Sequence, residues 1–200
     1  MGTRHLTCVV LNKEFKVAQY GQWDGYPSGQ GETVLKFLQS CDLKSFTEQV
    51  SKLKEFTTEE VMALCVECGA DDKGDMDHEA SKTFYSKYPY LSRDAGATIL
   101  QMIADDTVDG VRLYTGFAGD SLFCEWAYVI DLDNNRLEVM KGFQTEPNKD
   151  RFAEFFEEND RDTQYYPVAL KAFFSLDDLP EYEVFLEMCE VRDEDDEDDD

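Results

Sequence analysis

Histidine is scarce in this chain: His5 and His78 are the only two in 200 residues. Hydrolytic triads and Cys-His nucleophile pairs each need an imidazole base, so two positions at most could carry such chemistry. His5 and Cys8 lie three apart on an expected strand, where they would point to opposite faces and could not form that pair. Basic residues are few as well, 19 Lys and Arg against 44 Asp and Glu, for a formal net charge of -25. A field of that sign repels phosphate backbones, so direct nucleic-acid binding is not expected. No apolar run approaches the length of a bilayer span, and the first five residues lack the apolar core of a leader, so the expectation is a soluble cytoplasmic protein with no membrane partner. Gly2 is not a myristoylation signal, because Leu6 stands where Ser or Thr is needed. The six cysteines, Cys8, Cys41, Cys65, Cys68, Cys124 and Cys189, are too sparse for a disulfide framework and are expected to stay reduced.

What is plentiful is glycine in one place. Of 12 glycines, Gly21, Gly25, Gly29 and Gly31 fall between Tyr20 and Gly31, together with Pro27, Trp23, Asp24 and Tyr26. Glycine opens backbone conformations closed to other residues and proline fixes its own φ, so the stretch reads as a tight, defined loop. Tyr20, Trp23 and Tyr26 give it amphipathic faces, and Asp24 gives it a carboxylate.

The chain around that loop reads as α+β, with an antiparallel sheet built from hairpins at about 6–20 and 123–143 plus a strand at 168–174, and helices packed around it. Asn12-Lys13 is the expected turn of the first hairpin and Asp133-Asn134-Asn135 that of the second. Helices are expected from Glu32 to Leu38, from Ser45 to Phe56, from Thr58 to Cys68 behind a Thr57/Glu60 capping box, from Ser92 through Ile103, and from Leu179 to Met188. Residues 1–190 form one expected domain. The run from Asp193 to Asp200 belongs to an expected disordered acidic tail over 191–200; without that run, 36 acidic and 19 basic residues still leave -17 over the first 192 positions.

Several constellations invite a chemical reading. Cys65 and Cys68 have zinc-like spacing, with His78, Asp75 and Asp77 nearby in sequence, but no second close Cys or His pair follows. On the expected helix they share the apolar face of Val61 and Leu64 and read as buried thiols. Asp71, Asp72, Asp75, Asp77 and Glu79 are oxygen donors of the kind calcium takes, yet Gly74 precedes Asp75 and Asp77 rather than following them as in an EF-hand, so the stretch reads as a solvated acidic loop. Asp24 and Glu125 are a formal pair of carboxylates for acid-base work. No lysine follows the glycine-rich loop to counter a phosphate. Neither a metal nor a cofactor is assigned, no catalytic residue is named, and the balance leans away from an enzyme.

Thr3-Arg4, the core of Tyr20, Trp23, Asp24, Gly25, Tyr26 and Pro27, Gly31, and the segment Leu91-Ser92-Arg93-Asp94-Ala95-Gly96-Ala97 followed by Ile99-Leu100 together resemble a family of uncharacterised proteins of phages, bacteria and some fungi. Its members carry a Thr-Arg start and a His-Trp-Asp-Gly-Tyr-Pro motif. The segments Glu125 to Asp131 and Phe174 to Pro180 are similar too, so the likeness spans the chain short of its acidic tail. It implies no activity. In a phage-encoded member the cytoplasm concerned is that of the bacterial host. Gln22 occupies the place of the frequent His, and an amide there hydrogen-bonds but cannot shuttle a proton near neutral pH.

Three readings of function stand side by side. The first is a non-catalytic acidic module that engages a basic site on a protein partner, such as a nucleic-acid-handling host factor, as an inhibitor or a nucleic-acid mimic. The second is a small-molecule site at the loop that binds or hydrolyses a nucleotide-like ligand. There Tyr20, Trp23 and Tyr26 would stack, Arg4 would meet an anion, Gln22 and Asp24 would orient polar groups, and Gly25, Pro27, Gly29 and Gly31 would shape the backbone. The third is a loop that serves only as a structural clasp over the first hairpin.

Overall fold

A computed structural model describes residues 2–157 and 164–190. The acidic tail over 191–200 lies outside the described residues. The fold is α+β: five strands, β1 (His5–Leu11), β2 (Glu14–Gly21), β3 (Trp126–Asp131), β4 (Arg136–Lys141) and β5 (Ala169–Ser175), form one sheet in the order β2-β1-β3-β4-β5. Both expected hairpins are present. Asn12 and Lys13 take φ values of 57° and 65° between β1 and β2, the left-handed pair that matches the twist of a two-residue hairpin. Asn135 takes φ 53° at the end of the β3–β4 turn. The sheet is mixed rather than purely antiparallel, because β1 and β3 pair in parallel with His5 opposite Trp126 and Val9 opposite Ile130.

β2 ends and β3 begins beside His5, at the same end of the sheet with β1 between them, and most of the long segment that joins them covers one face of the sheet. It does so through α1 (Glu32–Ser40), α2 (Leu43–Val50), α3 (Thr58–Glu67), α4 (His78–Lys87) and α5 (Ile99–Ala104); α6 (Tyr182–Glu190) closes the fold after β5. Val34, Leu35, Phe37, Phe46, Ile99, Leu100, Ile103 and Phe185 pack there against Val9, Val17, Tyr128, Ile130, Leu137, Val139 and Phe174 of the sheet. The opposite face buries Leu6, Cys8, Val10, Ala18, Ala127, Val129 and Met140 under irregular segments that contribute Ala118, Cys124, Phe152 and Val168. Strands buried on both faces read as continuous apolar runs, as Leu6–Val10 and Ala127–Ile130 do.

Three helix expectations need correction. The helix expected over 45–56 ends at Val50, since the chain beyond it is extended: Phe56 N–H donates to the Val111 carbonyl at 2.7 Å and Val111 N–H to the Lys54 carbonyl at 3.0 Å. The α-helix expected from Ser92 begins only at Ile99, after a 3-10 turn over Gly96–Thr98: the Ser92 carbonyl accepts from Ala95 N–H in a single turn and from the Gln19 side chain, and the Arg93 carbonyl accepts from Gln22 N–H. α4 has no counterpart among the expected helices; its buried residues are only Ala80 and Phe84, too few to mark an apolar stripe, and its start is set by Asp77, whose carboxylate caps Ala80 N–H at 2.8 Å. The capping box of α3 is as expected, with Thr57 and Glu60 each serving the other's backbone N–H.

One ionic cluster ties the irregular cover to the sheet. Arg151 reaches in from the segment after β4 and donates through Nε and Nη2 to the two oxygens of Glu138, at 2.7 and 2.9 Å, and also to Asp131. Both carboxylates are buried. Burial alone would push the Asp131 carboxyl up, but hydrogen bonds from Asn134 and Arg151 outweigh it and hold the group below the usual range. Glu138 also meets Arg136, so two guanidinium groups offset two carboxylates. Replacing Arg151 with Ala leaves Asp131 buried without its counter-charge, and is expected to cost about 3 kcal/mol or more, read as a lowered urea midpoint at neutral pH. Arg151→Lys keeps the charge but loses the two-pronged geometry, and a smaller loss is expected.

Candidate functional site

The glycine-rich loop leaves the end of β2 and opens α1, as its position in the sequence indicates. Pro27 to Gly31 form a wide, π-type turn that runs straight into α1. Much of the loop backbone is engaged. Gly25 N–H donates to the Thr3 carbonyl at 3.0 Å, Gln30 N–H to the Asp24 carbonyl at 2.8 Å, and Gly29 and Gly31 N–H both to the Tyr26 carbonyl. The buried Tyr128 hydroxyl rises from β3 to donate to the Gly25 carbonyl at 2.7 Å.

The loop also docks on the Leu91–Ala97 segment. Gln22 N–H donates to the Arg93 carbonyl at 3.1 Å, Trp23 Nε1 to Asp94 Oδ1 at 3.1 Å, and Ala97 N–H to Gln30 Oε1 at 2.8 Å. Thr3, the loop and the Leu91–Ala97 segment, which lie far apart in sequence, thus meet in one place. Of the residues singled out in the sequence, Tyr20, Gln22, Trp23, Asp24, Gly25, Tyr26, Pro27, Gly29 and Gly31 are all in this assembly. The Tyr20 hydroxyl donates to Gln22 Oε1 at 2.6 Å, and its ring sits edge-on to Phe117. Arg4 is close by in a different role: its backbone N–H donates to Glu125 Oε1 at 3.2 Å and its guanidinium lies over the Phe123 ring, 4.8 Å from the centroid. Glu125 is therefore turned to the Arg4 backbone, and no hydrogen bond joins it to Asp24 among the described residues.

Under the loop lies a residue that composition had set aside. His5 is fully buried, and among the described residues neither ring nitrogen has a hydrogen-bond partner; the Thr7 hydroxyl, two residues along the same strand face, has none there either. The imidazole occupies the space where two side chains are missing. A Cβ on Gly21 would lie 2.0 Å from His5 Cε1, and one on Gly25 would lie 2.9 Å from His5 Cβ. Burial drives the His5 pKa from 6.5 down to about 4, and no charged neighbour opposes it. The ring is neutral at physiological pH, and Cys8 lies on the opposite face of β1 in the other core, so no nucleophile and base are paired there. The signal in the sequence was a polar ring at the head of the buried run His5–Val10.

No family model, curated protein or solved structure matches this chain. Its chemistry rests on its own residues. Cys65 is buried on α3 and Cys68 at the cap that ends it, and burial raises the Cys65 pKa. Among the described residues no group of three or more His, Cys, Asp or Glu side chains is placed to hold a metal ion. Asp71 and Asp77, members of the acidic stretch, are spent on backbone: Asp71 Oδ1 accepts from Lys73 and Asp75 N–H, both at 2.9 Å, and Asp77 caps α4. A cleft of about 320 Å³ opens elsewhere, beside Arg136, Met140, Lys149, Asp150, Arg151 and Leu170, where Arg136 and Arg151 are already ion-paired. No described helix is long and apolar enough to cross a membrane.

What the loop offers to the outside is aromatic and acidic. Gly25 and Pro27 are buried, while Trp23 and Tyr26 stay 48% and 52% exposed and Asp24 is exposed between them. Anchoring and display therefore fall on alternate residues of one short stretch.

Two outcomes test this geometry. Gly21→Ala is expected to lower the unfolding free energy by about 2 kcal/mol or more through overpacking against His5, whereas Trp23→Ala is expected to stay within about 1 kcal/mol of wild type, both read from urea midpoints. The second concerns pH. Because the folded state holds His5 neutral while the unfolded chain protonates it near 6.5, stability is lost as pH falls from 6.5 toward 4 and levels off below. The full loss from this group approaches about 3 kcal/mol. Urea titrations from pH 7.5 to pH 4 are expected to show a shallower pH dependence in His5→Gln than in wild type, whatever the absolute stability of the variant.

Proposed function

We propose that this protein is a non-catalytic acidic module that binds a basic surface on a protein partner. The observation that carries the reading is uncompensated charge on an otherwise well-packed fold. Among the described residues, ion pairs join Lys or Arg to Glu14, Glu32, Glu60, Glu67, Asp131 and Glu138. With 36 acidic against 19 basic residues in the first 192, a large excess of carboxylates has no basic side chain to offset it. Glu59, Asp71, Asp72, Asp75 and Glu79 crowd the exposed flank of α3, α4 and the turn between them. Such a field raises the encounter rate with a basic protein and repels nucleic acid, which a basic nucleic-acid-handling factor would otherwise bind.

Salt sets the test. Immobilised protein exposed to a host lysate at about 0.05 M salt is expected to retain proteins far more basic than the lysate average, and to release them at about 0.5 M. Retention unchanged at high salt, or a retained set no more basic than the input, would overturn the proposal. Reversing Glu59, Asp71 and Asp72 to Lys is expected to weaken retention.

A further inference from the structure

The loop between β2 and α1 presents side chains that its own fold uses only in part. Trp23 and Tyr26 are about half exposed, although the backbone on either side is fixed by Thr3, Tyr128 and the Leu91–Ala97 segment. Exposure of two large aromatic rings on a pinned turn costs apolar burial with no return to stability. Asp24, between them, takes φ 55°, an uncommon conformation for a non-glycine residue, and its carboxylate makes no hydrogen bond or ion pair among the described residues. Its backbone carbonyl holds the turn through Gln30, so the left-handed twist has a structural use, while the carboxylate it turns outward has none. The Trp23 indole is oriented too: its N–H is held by Asp94, and a Cβ on Gly2 would lie 2.2 Å from its ring, so one face is covered and a second carboxylate stands at its edge.

Two electron-rich ring faces with carboxylates beside them are the chemistry that receives a cation. A guanidinium group stacks on indole and phenol faces and donates to a carboxylate in the same plane, and a compact ammonium does the first less well. The nearby cations do not fill this role: the Arg4 guanidinium is held over Phe123, and among the described residues no ion pair or cation–π contact joins Arg93 to Trp23, Asp24 or Tyr26. We infer that Trp23, Asp24 and Tyr26 form the contact point at which the partner is gripped, by stacking and pairing an arginine side chain of a basic protein segment. The inference rests on the acidic-module reading given above and locates its centre. The body charge of -17 over the first 192 residues argues against a second copy of this chain as the occupant and for a basic one. Because the loop is rigid before binding, little ordering cost is added on contact.

The probe is an oligo-arginine peptide, with an oligo-lysine peptide of equal length beside it, titrated against the full chain at about 0.15 M salt. Wild type is expected to bind oligo-arginine more tightly than oligo-lysine. Trp23→Ala, Tyr26→Ala and Asp24→Asn are each expected to weaken oligo-arginine binding about tenfold and to narrow the gap between the peptides, with urea midpoints near wild type. Asn tolerates the left-handed conformation, so Asp24→Asn removes charge while keeping the turn. A set in which the Glu59, Asp71 and Asp72 reversals weaken binding but all three loop variants match wild type would overturn this inference and leave the acidic module standing. Wild type that binds neither peptide would overturn both. Binding lost entirely when the acids of Asp193 to Asp200 are replaced by their amides, with the loop variants unchanged, would also overturn the loop as the contact point.

Discussion

The parallel pairing of β1 with β3 is the constraint on which the rest of the molecule depends. β1 already has β2 on one side through a two-residue turn, so with β3 on its other side in the same direction the chain from Gln22 to Glu125 leaves and returns at the same end of the sheet, touching its edge where Leu113 bridges Ala18 of β2. The crossing segment becomes the helical layer, and β1 and β3 become strands with no exposed face. Such strands cannot shed a polar side chain to solvent, which is why His5, Thr7 and Asp131 are buried and why each requires an account. Asp131 finds Asn134 and Arg151. Among the described residues His5 and Thr7 find no protein partner, and the neutral ring is tolerated because two glycines above it leave room.

The loop is where that crossing begins, and its composition follows from its place. The chain must turn off the edge of β2, pass over the His5 ring at close range and enter α1 without a conventional cap. Gly21 and Gly25 meet the second demand, since a side chain at Gly21 would strike the imidazole and one at Gly25 would strike the Thr3 carbonyl and His5 Cβ. Pro27 and the wide turn to Gly31 meet the third. Thr3, Tyr128 and the Leu91–Ala97 segment then hold the turn from three sides, so the clasp and the display surface are one object seen from inside and outside. Trp23 and Tyr26 are not needed for the clasp to close, and that is the reason to look for their use elsewhere.

How much of this was legible in the sequence depended on whether a feature was local. Asn12-Lys13 named its hairpin, Thr57 and Glu60 named the start of α3, and the glycine-rich stretch announced a shaped loop between strand and helix. Features set by distant chain segments were not readable. β-Branched and apolar residues mark β1 and β3 as strands but not as neighbours, and the end of α2 depends on Val111, some 60 residues on. Ser92 and Arg93 read as a helix start because nothing local reveals that their carbonyls are claimed by Gln19 and Gln22. α4 was hidden for the opposite reason, since only two of its residues are buried and its pattern is that of a polar segment. The Asp131–Glu138–Arg151 cluster did leave a trace, as a lone carboxylate within the apolar run of each of two strands, but its arginine sits outside any expected element.

In the proposed complex, charge and loop divide the work of recognition between them. A diffuse excess of carboxylates attracts any basic surface over about a Debye length, which raises the rate of encounter but distinguishes poorly among partners. Lifetime of a complex is set by short-range contacts that exclude water, and such contacts are enriched in Trp, Tyr and Arg. In this fold the carboxylates are spread over exposed helices and turns, where local changes in side chain cost little stability. The aromatic pair is confined to a turn whose backbone is fixed by the core beneath it. A loop anchored on His5, Tyr128 and Thr3 cannot drift without disturbing the sheet, so the spacing of Trp23, Asp24 and Tyr26 is as rigid as the pairing of β1 with its neighbours. On the proposed reading, selectivity for a planar cation follows from the sheet, through the loop, rather than from the charge that brings the partner near.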